Sequence, residues 1–105
     1  MAAGGSGPVR AVLTMTVPRE DATRFEREWA HVADWIAGLP GCLRQTLARS
    51  QPAEQTTFVI TSDWRDGSTY REFETSQRQD ERTAGLRRLR TGVRMEVLEI
   101  VDHRG

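Results

Sequence analysis

The segment SDWRDGSTYREF, residues 62–73, contains the two side chains with the most evident binding chemistry, Trp64 and Tyr70. An indole or a phenol combines a large apolar ring with one polar group that needs a hydrogen-bond partner when it is buried. Beside a small cavity, that partner can be a ligand. A structural interpretation also fits, in which Trp64 fills the core at a strand end and Tyr70 and Phe73 anchor a helix. The residue types alone leave both interpretations open.

Common catalytic motifs are missing from the sequence, which has no G-x-S-x-G elbow, P-loop or dinucleotide fingerprint. Cys42 is the one cysteine, so neither an internal disulfide nor a cysteine-based zinc site can form. His31 and His103 are far apart in sequence, and we expect His31 to be exposed or at an interface rather than catalytic. Ser62 and Asp63 are neighbours on a predicted strand, so their side chains point to opposite faces. These observations predict no metal site.

Composition narrows the classes of protein further. The 105 residues predict one domain, over 9–105, after a disordered lead at residues 1–8. Fifteen basic residues, all arginine, balance fifteen acidic ones, and zero net charge argues against a nucleic-acid partner. No apolar run approaches the roughly 18 residues of a membrane span, and the N-terminus lacks the apolar segment of a signal peptide. The sequence therefore predicts a cytoplasmic protein without a membrane partner.

Hydrophobic periodicity predicts the elements that must position Trp64 and Tyr70. Alternating apolar residues over 9–17 predict a strand that ends at Pro18, and an apolar stripe that includes Phe25 and Trp29 predicts a helix over 19–37. The string GLPG, residues 38–41, ends this helix. The runs 42–50 and 56–64 then predict a hairpin of two strands, with its turn at QPAEQ.

The second half of the chain predicts more helix and a closing strand. Asp66 or Thr69 can begin a helix after Trp64, and TYRE, residues 69–72, fits a capping box in which Glu72 reaches back. A further helix is predicted over about 78–90, with Leu86 facing inward, and the run 94–102 predicts the last strand.

The order strand, helix, strand, strand, helix, strand predicts an α+β fold of the ferredoxin-like (split βαβ) type. Its four-stranded antiparallel sheet would carry the helices on one face. The opposite face would still hold Val12 and Val59, with either Leu98 and Ile100 or Met95 and Val97. Because such a face is costly to expose to water, we expect a homodimer in which two sheets pack as a dimeric α/β barrel.

The arginine-rich stretch RTAGLRRLRTGVR, residues 82–94, has two interpretations. Its leucines recur at helical spacing, which makes most of the arginines a solvated helix face. One or two of them can instead face a ligand. The aromatic residues are too few for the stacking platform of a single-strand nucleic-acid binder.

Three segments together carry a family resemblance: DWIAGLPGCL (34–43), FVITSDWRDGSTYREF (58–73) and GLRRL (85–89). In this order, they make the chain resemble the antibiotic biosynthesis monooxygenase family, and in particular its anthrone monooxygenases of the actinorhodin type. The resemblance runs from Val9 to Asp102. It implies a dimer of ferredoxin-like subunits. It also implies oxidation of phenolic polyketides to quinones by molecular oxygen, with no flavin, haem or metal.

The resemblance also implies roles for individual residues. Trp64 matches the tryptophan that stacks on, or hydrogen-bonds to, the substrate rings, and Tyr70 matches a tyrosine that binds a substrate oxygen. Arg87 matches an arginine that stabilises enolate charge, if one residue is inserted. These three are the predicted catalytic residues. The predicted substrate-binding residues, which line the pocket, are Phe73, Ile60, Trp29 and Phe25.

Two positions depart from the family pattern. Ile60 stands where the actinorhodin-type enzyme has asparagine, and Phe73 stands where many members have histidine, including those that degrade haem. The predicted function is a cofactor-independent monooxygenase that acts on an aromatic polyketide. A polyketide cyclase of the same barrel type and a non-catalytic ligand-binding or auxiliary subunit remain as alternatives.

Overall fold

The computed structural model describes residues 7–50 and 54–105 and contains one four-stranded antiparallel sheet with helices on one face. The strands are ordered β2-β3-β1-β4 in the sheet. In chain order the elements are β1 (Val9–Pro18), a 3₁₀ turn (Arg19–Asp21), α1 (Ala22–Ala37), β2 (Cys42–Arg49), β3 (Gln55–Trp64), α2 (Gly67–Glu74), α3 (Gln77–Arg82), α4 (Ala84–Leu89) and β4 (Gly92–Glu99). The predicted α+β ferredoxin-like fold is confirmed.

Some predicted boundaries were wrong. The helix predicted over 78–90 is two short helices that meet at Thr83, whose hydroxyl donates back to the Gln79 carbonyl at 2.8 Å. The last strand ends at Glu99 rather than at residue 102, because β1 begins opposite it at Val9, and only one more backbone hydrogen bond follows, from the Ile100 N–H to the Pro8 carbonyl at 3.0 Å. The predicted lead at 1–8 and the turn at QPAEQ fall largely outside the described residues.

The N-terminus of α2 is capped by Asp66 and not by Thr69, the other predicted capping residue. The Asp66 side chain accepts a 2.7 Å hydrogen bond from the Thr69 backbone N–H, which satisfies one of the amides left unpaired at a helix start. Thr69 therefore lies in the first turn, and the predicted box between Thr69 and Glu72 does not form. Asp66 fixes where α2 leaves the sheet, and so it sets the position of Tyr70 one turn later.

The hydrophobic core lies between the sheet and α1. The alternate β1 residues Val9, Ala11, Met15 and Val17 are buried there, as the period-two pattern predicted. Phe25 of α1 stacks on Phe58 of β3 at 4.5 Å between ring centroids, and both are fully buried. Burying one such ring contributes about 1.5–3 kcal/mol.

The other face of the sheet has no helix among the described residues. The strand register places Leu98 opposite Arg10, so Leu98 shares this face with Val12 and Val59, while Met95 and Val97 face the helices. Leu98 is 44% exposed. The same face carries a bidentate ion pair from Arg10 to Asp63, at 2.7 and 2.9 Å, which lowers the pKa of the Asp63 carboxyl.

No helix within residues 7–50 and 54–105 has the length and apolar character needed to cross a membrane.

The corner after α1 depends on Gly41. Its φ of +90° lies in the left-handed region that favours glycine, and its carbonyl accepts a 2.8 Å hydrogen bond from the Arg65 N–H. A Cβ on Gly41 would overlap the Thr69 side chain of α2. The corner thus brings the end of α1 against the start of α2 with no room for a side chain.

We expect Gly41→Ala to lower the free energy of unfolding by about 1–3 kcal/mol, because both the backbone conformation and the contact with Thr69 oppose a methyl group. Chemical denaturation measures the change. Gly38→Ala is the matched control, since Gly38 has a φ of −88° and an added Cβ would meet only the Trp35 carbonyl oxygen, at 3.6 Å. Equal stabilities of the two variants would contradict this account of the corner.

Candidate functional site

A cavity of about 340 Å³ lies between the sheet and the helices. The side formed by β1, β3 and α1 is mostly apolar, although it includes Ser62 of β3. The other side carries the polar groups of α2, α3 and α4, and β4 supplies two apolar residues. The residues that line it are Ala11, Leu13, Met15, Trp29, Val32, Ile36, Gln45, Ile60, Ser62, Tyr70, Phe73, Glu74, Gln79, Thr83, Leu86, Arg87, Arg90, Val93 and Met95.

Trp64 lies behind the cavity wall rather than in the cavity. It is 0% exposed, and its indole N–H donates a 2.9 Å hydrogen bond to the Ser62 hydroxyl. Its ring packs on Tyr70 edge-on at 5.6 Å and stacks on Phe73 at 4.8 Å between centroids. Trp64 therefore orients three side chains that do line the cavity, and its own polar group is already satisfied.

Tyr70 contributes a phenol to the polar side of the cavity. Its hydroxyl donates a long hydrogen bond of 3.5 Å to Glu74 Oε2 and lies 3.9 Å from Met95 Sδ. Burial raises the pKa of the Tyr70 phenol well above its ordinary value, and the negative charge of Glu74 raises it further. The phenol consequently keeps its proton at neutral pH and acts as a donor. Because its contacts are long and weak, a ligand oxygen can displace them.

Arg87 lines the same cavity and is held in place by its own helix and by α3. Its guanidinium donates to Thr83 Oγ1 at 3.0 Å and to the Asp80 carbonyl at 2.7 Å, and it pairs with the Asp80 carboxylate at 3.0 Å. Arg90 lies one turn further along and makes no ion pair within the described part of the chain. Two cations therefore border one side of an otherwise mostly apolar space.

The structure brings most of the predicted pocket residues together, with one exception. Ile60, Phe73 and Trp29 line the cavity, on β3, α2 and α1 respectively. Phe25 does not line it, because its ring is fully buried against Phe58 in the core. Phe73 also borders a shallower groove of about 430 Å³ on the outside of the molecule, shared with Trp35.

Ser62 and Glu74 are among the cavity residues that were not predicted as part of the site. Ser62 lines the cavity while Asp63 faces away and accepts a hydrogen bond from Arg10, so these two neighbours point to opposite faces, as strand alternation predicts. No sequence pattern distinguishes Glu74 from the other acidic residues of the chain. Its spacing of four from Tyr70 was the available clue, because such residues lie on one helix face.

The arrangement suits a ligand with a flat apolar body and oxygen atoms at one edge. Aromatic and aliphatic side chains can bury such a body, while Tyr70 and the two arginines can hold its oxygens. Within residues 7–50 and 54–105, no group of three or more histidine, cysteine, aspartate or glutamate side chains could hold a metal ion.

The sequence pattern of the antibiotic biosynthesis monooxygenase family matches residues 8–84. The chain belongs to this family. The match includes Trp64, Tyr70, Phe73 and Glu74 and ends where α4 begins, so Arg87 lies outside it. No curated protein matches the sequence.

Several solved structures share the family fold. SnoaB of Streptomyces nogalater, described as a cofactor-independent oxygenase, has 23% identity and a TM-score of 0.78, over 92% of this chain and 96% of SnoaB. A candidate antibiotic biosynthesis monooxygenase of Caulobacter crescentus CB15 has 23% identity and a TM-score of 0.77, over 94% of each chain. Rv0793 of Mycobacterium tuberculosis has 21% identity and a TM-score of 0.74, over 94% of this chain and all of Rv0793. At these identities the likeness establishes the fold.

The raised pKa of Tyr70 gives a direct spectroscopic prediction, because this is the one tyrosine in the sequence. The tyrosine phenolate absorbs on the long-wavelength side of the protein's near-ultraviolet band. This absorption should be absent from the folded protein at pH 10 and present in the denatured protein, whose tyrosine titrates at about 10. The folded-state pKa is the higher one, so this group's contribution to stability is full below the unfolded pKa and declines as the pH rises above it. A phenolate band at pH 10 in the folded protein would contradict the burial of the hydroxyl.

Proposed function

We propose that this protein is a cofactor-independent monooxygenase that oxidises an anthrone-type aromatic polyketide to a quinone with molecular oxygen. The observation that carries the proposal is the cavity, whose apolar walls face a polar side formed by Tyr70 and Arg87. Membership of the monooxygenase family supports the oxygenation. The description of SnoaB as a cofactor-independent oxygenase supports a reaction without flavin, haem or metal.

The chemistry demands little from the protein because the substrate supplies the electrons. Overall, a ring methylene and O₂ give a ring carbonyl and one water. Loss of a methylene proton forms an electron-rich enolate that can itself reduce oxygen. Tyr70 would donate a hydrogen bond to the enolate oxygen, and Arg87 would offset its negative charge in a mostly apolar site.

The remaining predicted site residues would shape the cavity. Trp29, Ile60 and Phe73 would bury the ring system of the substrate from three sides. Trp64 would act through Tyr70 and Phe73, since its own ring is buried behind them. Phe25 would support the core beneath the pocket rather than touch the substrate.

The uncovered face of the sheet supports a homodimer as the working form. Val12, Val59 and Leu98 lie on that face, and a second copy of the sheet would remove them from water. Such a dimer would work in the cytoplasm on a small-molecule substrate. It would have no nucleic-acid or membrane partner.

Two observations favour a second function. Ile60 and Phe73 place hydrocarbon at two cavity positions, where the family resemblance implies an asparagine and a histidine. A pocket of this kind can bind a polyketide without oxidising it, as an auxiliary subunit would. It can equally hold a polyketide chain for an aldol cyclisation.

Incubation of the purified protein with an anthrone such as emodinanthrone, in air and without oxygen, distinguishes these functions. The monooxygenase should form the quinone only in air and faster than the uncatalysed reaction, as followed by absorbance. Binding with an unchanged substrate would identify the auxiliary role instead.

We expect Arg87→Ala to lower kcat about 100-fold, since it removes a cation from the place where the enolate charge develops. Arg88→Ala is the matched control because Arg88 is exposed on the same helix and does not line the cavity. Equal turnover by both variants would exclude a role for Arg87 in the reaction.

Trp64→Phe should lower kcat by roughly tenfold, because it breaks the bond to Ser62 and loosens the packing on Tyr70 and Phe73. A thermal melt of the variant checks that the fold survives. Full activity in the folded variant would show that Trp64 does not position the cavity wall.

Size-exclusion chromatography with light scattering should give twice the chain mass of 11.9 kDa. Leu98→Glu should shift the protein towards the monomer, since it places a charge on the face that the dimer would bury. A single 11.9 kDa species for the unchanged protein would rule out the dimer.

A further inference from the structure

The proposed oxygenase reaction begins with removal of a proton from carbon, and the cavity contains few groups that can accept one. Four ionisable side chains line it within the described part of the chain, namely Tyr70, Glu74, Arg87 and Arg90. The histidines lie elsewhere, since His31 is exposed on α1 and His103 follows β4 near Asp63 on the far face of the sheet. Cys42 does not line this cavity either.

Three of the four groups are unsuited to act as a base. Arginine stays protonated in proteins, so Arg87 and Arg90 can stabilise an anion but cannot take up a proton. Tyr70 retains its phenolic proton, because burial and the neighbouring carboxylate disfavour the phenolate. The remaining group is the carboxylate of Glu74.

Glu74 also has a suitable position. It ends α2, exposed to solvent, and its side chain borders the cavity. Its Oε2 atom accepts the 3.5 Å hydrogen bond from the Tyr70 hydroxyl. One carboxylate oxygen and one phenol donor therefore lie side by side in the cavity. Contact with water lets such a carboxylate release a proton that it has accepted.

We propose that Glu74 is the general base of the reaction and works as a unit with Tyr70. A substrate oxygen takes the hydrogen bond that Tyr70 otherwise gives to Glu74, which frees the carboxylate beside the acidic methylene of the same ring. This role rests on the proposed function. It supplies a proton acceptor that neither Ile60 nor Phe73 can provide.

The proton and electron transfers balance as follows. Glu74 takes one methylene proton, and the electron pair of the broken C–H bond enters the ring as the enolate. The enolate reduces O₂ and combines with it, and the resulting peroxide anion takes the proton back from Glu74. Glu74 then removes the second proton from that carbon as the O–O bond breaks, which forms the carbonyl. The departing hydroxide regains this proton and leaves as water.

Proton–deuterium exchange tests the step separately from the oxidation. Emodinanthrone is incubated with the protein in D₂O without oxygen, and NMR follows loss of the methylene proton signal. We expect the unchanged protein to accelerate exchange above the buffer rate, and Glu74→Gln to lose about 100-fold or all of this acceleration. The amide keeps the shape and a hydrogen bond to Tyr70 but cannot accept the proton.

Two controls separate a chemical role from a structural one. Glu72→Gln changes a carboxylate on the same helix that borders the outer groove and not the cavity, and it should exchange like the unchanged protein. Emodin, the quinone product, should bind Glu74→Gln with a Kd within about threefold of the unchanged protein. Loss of both exchange and emodin binding would assign Glu74 to positioning instead and overturn the proposal.

The remaining outcomes are also decisive. Undiminished exchange by Glu74→Gln, or no acceleration by the unchanged protein, would overturn Glu74 as the base. Exchange that depends on Glu74 but is not followed by quinone formation in air would support the base and contradict the oxygenase function. The two proposals can therefore fail independently.

Discussion

The packing of Trp64 at the end of β3 is the interaction on which the cavity depends most. Trp64 is the last residue of β3, and its side chain is fully buried. Its indole N–H donates a hydrogen bond to Ser62 of the same strand, and its ring packs on Tyr70 and Phe73 of α2. A ring of this size, packed on two others, stabilises the junction of strand and helix by more than its buried area alone. The relative positions of the cavity wall and the phenol follow from this junction.

Two further constraints fix the same junction from outside the core. Asp66 caps the helix that carries Tyr70, and Gly41 allows the end of α1 to approach the first turn of that helix. The phenol is therefore held by elements from both halves of the chain. This positioning suits the proposed catalysis, which depends on orientation and charge placement, because such catalysis loses rate when groups are misplaced.

The fold was predictable from the sequence because its signals are periodic. Alternation over β1 and the stripe of α1 specify which side of each element is buried, and the two β-runs around a polar turn specify a hairpin. The break at Thr83 was not predictable, because neither proline nor glycine occupies that position and Leu86 and Leu89, which follow it, have helical spacing. The end of β4 was not predictable either, since it depends on where β1 begins.

The site was only partly predictable, for a different reason. Residue type pointed to Trp64 and Tyr70, but whether an aromatic ring lies in a cavity or behind its wall depends on packing that has no sequence period. Phe25 and Trp29 lie one turn apart on α1, yet Phe25 is in the core and Trp29 reaches the cavity. Glu74 could be assigned to the site only once the fold was known, because its neighbours in the cavity come from α4 and β4 as well as from its own helix.

β4 takes part in two surfaces at once. Val93 and Met95 form one side of the cavity, Leu98 lies on the uncovered face of the sheet, and all three are at least 40% exposed. The strand is also an edge of the sheet, with unpaired backbone groups along one side. In the proposed dimer, a partner that packed on this strand would lie beside the cavity wall, so that ligand binding and dimer formation would change each other's affinity by the same factor.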